Sequence, residues 1–246
     1  MRVYKKGYRV LSSDVDSFRR LRLSRLFTFL QELSIAHTTE LGMGREKTLD
    51  KGLLWIVTMA QVKVCTLPVY DQEITLLSWP GDTMHLYFPR YYRIEDTQGQ
   101  PLIEGSALWA LMDARSRRIV FPEEYGIDIL GEKTGFELGL PPSPRPVKEG
   151  TAAAFTVPYS YVDINGHMSN TRYFDLMEDL MPPALRQRMP ERILVQFSAE
   201  APLGEQMALE YRAEENSFCL QGQGKKKLFC LNISYQQEEK SHGGQC

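Results

Sequence analysis

The sequence predicts an α+β protein made of two similar halves, each with one long helix wrapped by an antiparallel sheet. The chain has 246 residues, enough for two domains of ordinary size. Four prolines fall between Leu140 and Gly150, which predicts an extended linker. On each side of this stretch, a helical pattern precedes several strand patterns. We therefore expect four segments, namely an N-terminal unit over 1–135, a Pro-rich linker over 136–152, a C-terminal unit over 153–241 and a flexible tail over 242–246.

Each half opens with a polar turn that leads into a helix. In half one, apolar side chains recur at helical spacing over 23–33. In half two, a second helical pattern covers 168–180, and either Ser169 or Asn170 is a suitable N-cap. The repeated order of turn and helix indicates an internal duplication.

Segments with alternating apolar and polar residues follow each helix, as expected of half-buried strands. They cover 73–78, 86–95 and 102–113 in half one, and 206–212, 218–223 and 228–235 in half two. Residues 96–99 and 214–216 have the composition of hairpin turns. A single helix on the concave face of such a sheet is the hotdog arrangement. Two halves in one chain can join their sheets, which removes an unpaired edge from each.

Composition excludes several classes of function. Hydrophobic residues make up 43% of the chain and the net charge is −2, so nothing indicates a nucleic-acid partner. No apolar run approaches the length of a membrane-spanning helix, and no signal peptide follows Met1. The four cysteines lack metal-ligand or redox spacing, and the histidines share no metal-ligand spacing either. We expect a soluble cytoplasmic protein with reduced thiols and no metal.

Three polar residues before the second helix form the strongest local feature. Asp163, Asn165 and His167 alternate, so an extended backbone would point them the same way, and Gly166 permits a bend. They would bring a carboxylate, an amide and an imidazole to a helix N-terminus, where unpaired N–H groups can hold a developing oxyanion. The alternative is a polar turn that caps the helix, with His167 a satisfied surface residue.

The pattern from Asp163 through Asn165, His167 and Asn170 to Tyr173 resembles the active-site signature of the acyl-ACP thioesterases. These enzymes end fatty-acid synthesis in plants and have bacterial relatives. Further segments are similar to the same family, namely Trp55–Met59, Pro68, Thr75–Pro80, Ser106–Arg118 and Pro122. The resemblance implies a tandem hotdog fold, hydrolysis of fatty acyl-ACP to a free fatty acid, and no cofactor.

The same resemblance implies four catalytic residues, which are Asp163, Asn165, His167 and Glu200. Plant members have a cysteine directly after this glutamate, whereas this chain has Ala201. We therefore expect direct attack by water, without a cysteine nucleophile. Either Glu200 or His167 would take the proton from water, Asp163 would fix the local geometry, and Asn165 would position the carbonyl or the water.

The duplication predicts one active site per chain. Matching Pro68 with Pro202 pairs Glu200 with Thr66, and the region equivalent to His167 contains Arg20 and Leu21. Half one is then free to hold the acyl chain. Candidate residues for substrate binding, each of which could instead be plain core, are Met43, Leu53, Trp55, Val57, Met59 and Trp109 from half one and Asn170 and Tyr173 from half two.

The partner implied by the resemblance is acyl carrier protein, which is acidic. Arg115, Arg117 and Arg118 are therefore candidates for docking it. The sequence leaves open a monomer or a homodimer. Three other functions remain as alternatives: an acyl-CoA thioesterase of the same fold, a hotdog hydratase or dehydratase, and a non-catalytic acyl-binding protein. The second fits poorly, because those enzymes resemble D-x-N-P-x-H.

Overall fold

The computed structural model describes residues 3–236. Within this range ten strands form one sheet. The strands are β1 (Tyr4–Arg9), β2 (Leu53–Val64), β3 (Glu73–Pro80), β4 (Tyr87–Glu95), β5 (Pro101–Asp113), β6 (Thr151–Thr156), β7 (Pro190–Phe197), β8 (Gln206–Glu214), β9 (Ser217–Gln223) and β10 (Lys227–Tyr235). The α-helices are α1 (Leu23–Glu40), α2 (Arg172–Leu180) and α3 (Pro183–Arg186).

The order of the strands confirms the duplication. The sheet runs β1-β3-β4-β5-β2-β7-β10-β9-β8-β6, and every pairing is antiparallel. Each half therefore has the same order when it is read from its outer edge inward. The two halves meet where β2 pairs with β7, from Met59 opposite Gln196 to Lys63 opposite Arg192. The predicted tandem hotdog fold is confirmed.

The helices cover one face of this sheet. The apolar stripe of α1 is buried, and Leu26 and Leu30 are among its members. The ring of Phe27 on α1 stacks on that of Phe174 on α2, with centroids 3.8 Å apart. Burial of these side chains is the main force that holds the helices to the sheet and to each other.

Both predicted helices need correction at their ends. The first continues to Glu40, well beyond the predicted run. The second begins at Arg172 with Thr171 at the N-cap position, so neither Ser169 nor Asn170 is the cap. The second helix was predicted to be long, but it has only nine residues and ends before Pro182 and Pro183. Proline prevents the helix from continuing with regular hydrogen bonding.

All six predicted strand segments are confirmed to within two residues at each end. The turn at 96–99 is confirmed, since the Asp96 carboxylate accepts hydrogen bonds from two backbone N–H groups there. Residues 214–216 likewise join β8 to β9. Strand β6 begins two residues inside the segment predicted to be linker.

The chain between the halves is fastened across the outer face of the sheet. The Arg145 N–H donates to Asn232 Oδ1 at 2.6 Å, and the Val147 N–H donates to Gln221 Oε1 at 3.1 Å. The Ser106 hydroxyl donates to the Gly139 carbonyl at 2.8 Å. Polar side chains on the outward positions of both halves therefore satisfy the linker backbone. Among residues 3–236, no helix is long and apolar enough to span a membrane. The predicted tail over 242–246 lies outside the described residues.

Candidate active site

The polar segment before α2 forms a tight turn. The Asp163 N–H donates to the His167 carbonyl at 2.9 Å, and the Gly166 N–H donates to the Asp163 carbonyl at 3.0 Å. Gly166 has a φ of 79°, a left-handed conformation that glycine adopts without a steric penalty. The Met168 N–H donates to the Ala201 carbonyl at 2.7 Å, which fixes this turn against the chain that carries Glu200.

His167 and Glu200 are neighbours in this arrangement. His167 Nδ1 lies 3.7 Å from Glu200 Oε1, and the side chains are 26% and 36% exposed. The same carboxylate forms a bidentate ion pair with Arg117, whose Nε donates to Glu200 Oε2 at 2.9 Å and whose second nitrogen donates to Oε1. Within residues 3–236, His167 Nδ1 has no hydrogen-bond partner. A carboxylate beside an imidazole nitrogen is an arrangement that can orient a general base.

Asp163 and Asn165 do not join this pair. Both side chains are exposed, and Asp163 Oδ1 accepts the backbone N–H of Asn165 at 2.8 Å. The backbone from Asp163 to His167 is a turn and is not extended. The expectation that Asp163, Asn165 and His167 point the same way is therefore wrong, because the turn at Gly166 breaks the alternation. Asp163 therefore holds the turn, while Asn165 lies at its exposed corner.

A narrow apolar cavity of about 30 Å³ lies between the helices and β2. Its lining includes two predicted residues from half one, Val57 and Trp109, together with Asn170 and Thr171 at the start of α2. The backbone N–H groups of Asn170 and Thr171 donate to no acceptor in the described part of the chain. The N–H groups of Met168 and Ser169 are occupied by backbone carbonyls. The backbone N–H groups at this end of the cavity that are open to an oxyanion are therefore those of Asn170 and Thr171.

A second cavity of about 230 Å³ extends into half one, and Trp109 lines both. Met43 and Trp55, also predicted from the sequence, contribute to its wall. The Trp109 indole N–H donates to Tyr92 Oη at 3.1 Å, and that oxygen lies 2.7 Å from Ser34 Oγ. Trp109, held by this hydrogen bond, thus lies between the narrow cavity and the larger one.

A buried cation that was not predicted from the sequence lines the larger cavity. The Arg90 guanidinium is hydrogen-bonded to Thr38 Oγ1 at 2.9 Å and to Ser78 Oγ at 3.2 Å, and one nitrogen lies 3.0 Å from His37 Nδ1. Burial lowers the pKa of Arg90. The available signal was a charged residue flanked by Phe88 and Pro89 on one side and Tyr91 and Tyr92 on the other, within strand β4.

Three predicted substrate-binding residues do not line either cavity. Leu53 is buried in the core, and Met59 is partly buried on β2. Tyr173 is buried against Phe197 and Phe229, with ring centroids 5.8 and 4.3 Å away. Tyr173 on α2 therefore faces the core in this structure, and burial raises the pKa of its hydroxyl group.

The three arginines predicted to dock a carrier protein have different surroundings. Arg117 is paired with Glu200, as described above. Arg115 and Arg118 are exposed and form no side-chain hydrogen bond or salt bridge among residues 3–236. Of the three arginines, only these two have guanidinium groups that no side chain in the described range occupies by a hydrogen bond or salt bridge.

The structure corrects the internal alignment by one residue. The Leu21 N–H donates to the Pro68 carbonyl at 2.7 Å, just as the Met168 N–H donates to Ala201. Pro68 thus matches Ala201, so the residue equivalent to Glu200 is Leu67 and not Thr66. Arg20 is the residue equivalent to His167. Arg20 forms a β-bridge with the residue after Pro68, and His167 forms one with the residue after Ala201.

Two family models match the chain over almost all of its length. The acyl-ACP thioesterase N-terminal domain matches residues 1–126, and the acyl-ACP thioesterase C-terminal domain matches residues 145–240. A palmitoyl-acyl carrier protein thioesterase of Arabidopsis thaliana is 22% identical over 227 residues, which cover 86% of this chain and 52% of that protein. An acyl-[acyl-carrier-protein] hydrolase of Cuphea viscosissima is 24% identical over 225 residues, with the same coverage. The chain spans about half the length of these curated relatives.

Solved structures share the fold over nearly the whole chain. An acyl-ACP thioesterase from Bacteroides thetaiotaomicron superposes with a TM-score of 0.84 at 20% identity, covering 96% of this chain and 98% of that one. A 12:0-ACP thioesterase from Umbellularia californica gives a TM-score of 0.78 at 16% identity, covering 97% and 98%.

Proposed function

The chain belongs to the acyl-ACP thioesterase family, and on that premise we propose that it hydrolyses the thioester of a fatty acyl chain held on acyl carrier protein. The products are a free fatty acid and the carrier with its thiol restored. The observation that carries this proposal is the His167–Glu200 pair, which lies close in sequence to residues that line an apolar cavity. Asn170 follows His167 by three residues, and Phe197 precedes Glu200 by three.

His167 is the general base in this proposal. Both oxygens of Glu200 already accept hydrogen bonds from Arg117, so that carboxylate is poorly placed to take a proton from water. With the Nδ1 proton of His167 directed at Glu200, the Nε2 lone pair is available to the attacking water. The water oxygen bonds to the thioester carbon, the C–S bond breaks, and the imidazolium returns its proton to the departing thiolate.

The developing oxyanion is placed at the start of α2. The free N–H groups of Asn170 and Thr171 are suitable donors for it, and the helix dipole adds partial positive charge. The acyl chain then extends past Val57 toward Trp109. Half two supplies the base and the oxyanion donors, while half one supplies the apolar space.

The direct test is thiol release from acyl-ACPs and acyl-CoAs of increasing chain length, with wild type and His167→Ala compared. Release from acyl-ACP that is lost in the variant is the expected result. Release from acyl-CoA alone would replace the proposal with an acyl-CoA thioesterase. Saturable binding of the acyl chain without release would indicate a non-catalytic acyl-binding protein.

A further inference from the structure

Arg117 lies on the hairpin that follows β5, so half one supplies it to a site whose proposed base and oxyanion donors belong to half two. The hairpin is well defined. The Arg117 N–H donates to the Asp113 carbonyl at 2.9 Å, and the Ser116 N–H donates to Asp113 Oδ1 at 2.6 Å. The Ala114 N–H donates to the Gly52 carbonyl at 2.8 Å, which ties the hairpin to the residue before β2.

The backbone of Arg117 has an unusual conformation. Its φ is 56°, in the left-handed region that residues with a Cβ atom seldom adopt. Such conformations persist where the surrounding structure fixes them, and they concentrate at functional sites. Here the conformation accompanies the bidentate contact of the side chain with Glu200.

The contact is chemically selective. A guanidinium presents two parallel N–H donors, which match the two oxygens of a carboxylate and fix both its position and its rotation. Arg117 and Glu200 are 32% and 36% exposed, so the pair is partly shielded from water. Within residues 3–236, Glu200 is the only side chain that Arg117 contacts by a hydrogen bond or salt bridge.

One oxygen of Glu200 links the arginine to the proposed base. Glu200 Oε1 accepts a hydrogen bond from Arg117 and lies 3.7 Å from His167 Nδ1. That nitrogen has no other partner in the described chain, and a small movement would bring it within hydrogen-bond distance. The guanidinium thus holds the carboxylate that faces the imidazole.

We propose that Arg117 is a positioning residue of the active site, acting through Glu200 on His167, and that it is not part of the surface that docks the carrier protein. This inference rests on the proposed thioesterase activity. It divides the three neighbouring arginines by role, because Arg115 and Arg118 have no such partner. The catalytic machinery then requires both halves of the chain.

The test uses a small thioester, decanoyl-N-acetylcysteamine, which lacks a carrier protein. Arg117→Ala is expected to lower kcat by about 10- to 100-fold with little change in KM, since misplaced catalytic groups cost about this much. Added guanidinium at millimolar concentration should restore part of the loss, and Arg117→Lys should fall between wild type and alanine. The matched control is Arg9→Ala, which removes an arginine that is likewise paired with carboxylates, Asp71 and Glu73.

A double-mutant cycle with Glu200→Ala identifies the path. If Arg117 acts through Glu200, removing the arginine from the Glu200→Ala protein should change kcat less than twofold, as expected for coupled residues. Equal losses in both backgrounds would overturn the proposal. It would also be overturned if Arg117→Ala raised KM for acyl-ACP and left turnover of the small thioester intact.

A spectroscopic measurement keeps this inference separate from the proposed function. If wild type releases no thiol from any substrate, the proposed function fails. The effect of Arg117 on His167 can then still be tested through the ¹⁵N resonance of His167 Nδ1. We expect this resonance to move in Arg117→Ala and not in Arg9→Ala. An unchanged resonance would overturn the positioning role even in a folded variant with normal circular dichroism.

Discussion

The turn over 16–20 in half one and the turn over 163–167 in half two have the same backbone and different chemistry. The Asp16 N–H donates to the Arg20 carbonyl at 2.8 Å, and the Asp163 N–H donates to the His167 carbonyl at 2.9 Å. Both aspartates also accept the N–H two residues later, each at 2.8 Å. The aspartate therefore maintains the turn in both halves, and its presence alone does not indicate catalysis.

The side chains at the last position of these turns separate the halves. Arg20 donates to the backbone carbonyls of Arg186, Gln187 and Arg188 around the end of α3, which ties half one to half two. His167 instead approaches Glu200, and the residue equivalent to Glu200 in half one is the buried Leu67. The turn in half one therefore ties the halves together, and the turn in half two carries the pair that we propose to be catalytic.

Substitution of these two residues should have opposite effects, and we expect this to be the largest contrast. His167→Ala should lower kcat by roughly 10³-fold, within the range of general acid–base catalysis, with little change in melting temperature. Arg20→Ala should lower the free energy of unfolding by about 1–3 kcal/mol, because three backbone carbonyls, one of them in a part-buried contact, lose their charged donor. Thiol release and thermal denaturation of both variants measure this. A loss of turnover in folded Arg20→Ala as large as that in His167→Ala would remove the distinction.

The next prediction concerns the space that half one contributes. Trp109→Leu should open the passage between the two cavities and raise kcat/KM for longer acyl chains relative to shorter ones, by about 10-fold. A loss of stability of about 2 kcal/mol is also expected from the deleted ring. Competition between acyl-ACPs of different length measures the preference.

Trp79→Leu is the matched control for this change. Trp79 is 1% exposed and lines neither cavity, so its replacement should destabilise the fold without changing the chain-length preference. If both variants shift the preference equally, the cavities in half one do not hold the acyl chain.

The third prediction separates docking from catalysis on the hairpin of half one. Arg115→Glu and Arg118→Glu should each raise KM for acyl-ACP several-fold at low salt, with a weaker effect at high salt. The rise should exceed any change in KM for the small thioester. Lys226→Glu, on a hairpin turn of half two, makes the same charge change as a control. Equal rises from all three variants would point to net charge and not to a docking surface.

Much of the fold could be predicted because its pattern is local. Strand alternation, the stripe of α1 and the Pro-rich linker are each read from neighbouring residues, and the structure confirms these strands and both helices with corrections at their ends. The end of α2 was also available in Pro182 and Pro183. The linker's contacts with Asn232 and Gln221 could not be predicted, because they join segments far apart in the chain.

The candidate site was predictable only in part. His167 and Glu200 were identified from a family signature, but the partner of Glu200 is 83 residues away in the other half, and no spacing reveals it. Matching Pro68 with Pro202 placed the equivalent of Glu200 one residue too early, because identity of residue type was used where backbone hydrogen bonds set the register. Trp109 was predicted as a substrate-binding residue. Its position between two cavities was not, because it depends on a hydrogen bond to Tyr92.

The last prediction concerns a second difference between the halves, in a side chain that lies near the start of the other half's helix. Glu178 on α2 accepts the Leu23 N–H at the start of α1, at 3.3 Å. Its counterpart in half one, the neutral Gln31, lines the cavity beside Asn170 and Thr171 at the start of α2. Burial raises the pKa of Glu178 to about 7, although the hydrogen bond from Leu23 opposes this.

A raised carboxyl pKa has a definite effect on stability. Between pH 4.5, the ordinary value, and about 7, the folded protein binds more protons than the unfolded chain. The contribution of Glu178 to the free energy of unfolding is therefore fully present below this window and is lost as the pH rises through it. Glu178→Gln, which copies half one, should melt at a higher temperature than wild type at pH 8, with the difference shrinking toward pH 5. Asp179→Asn, an exposed neighbour, should not change this pH dependence; if it does, the helix as a whole and not Glu178 is responsible.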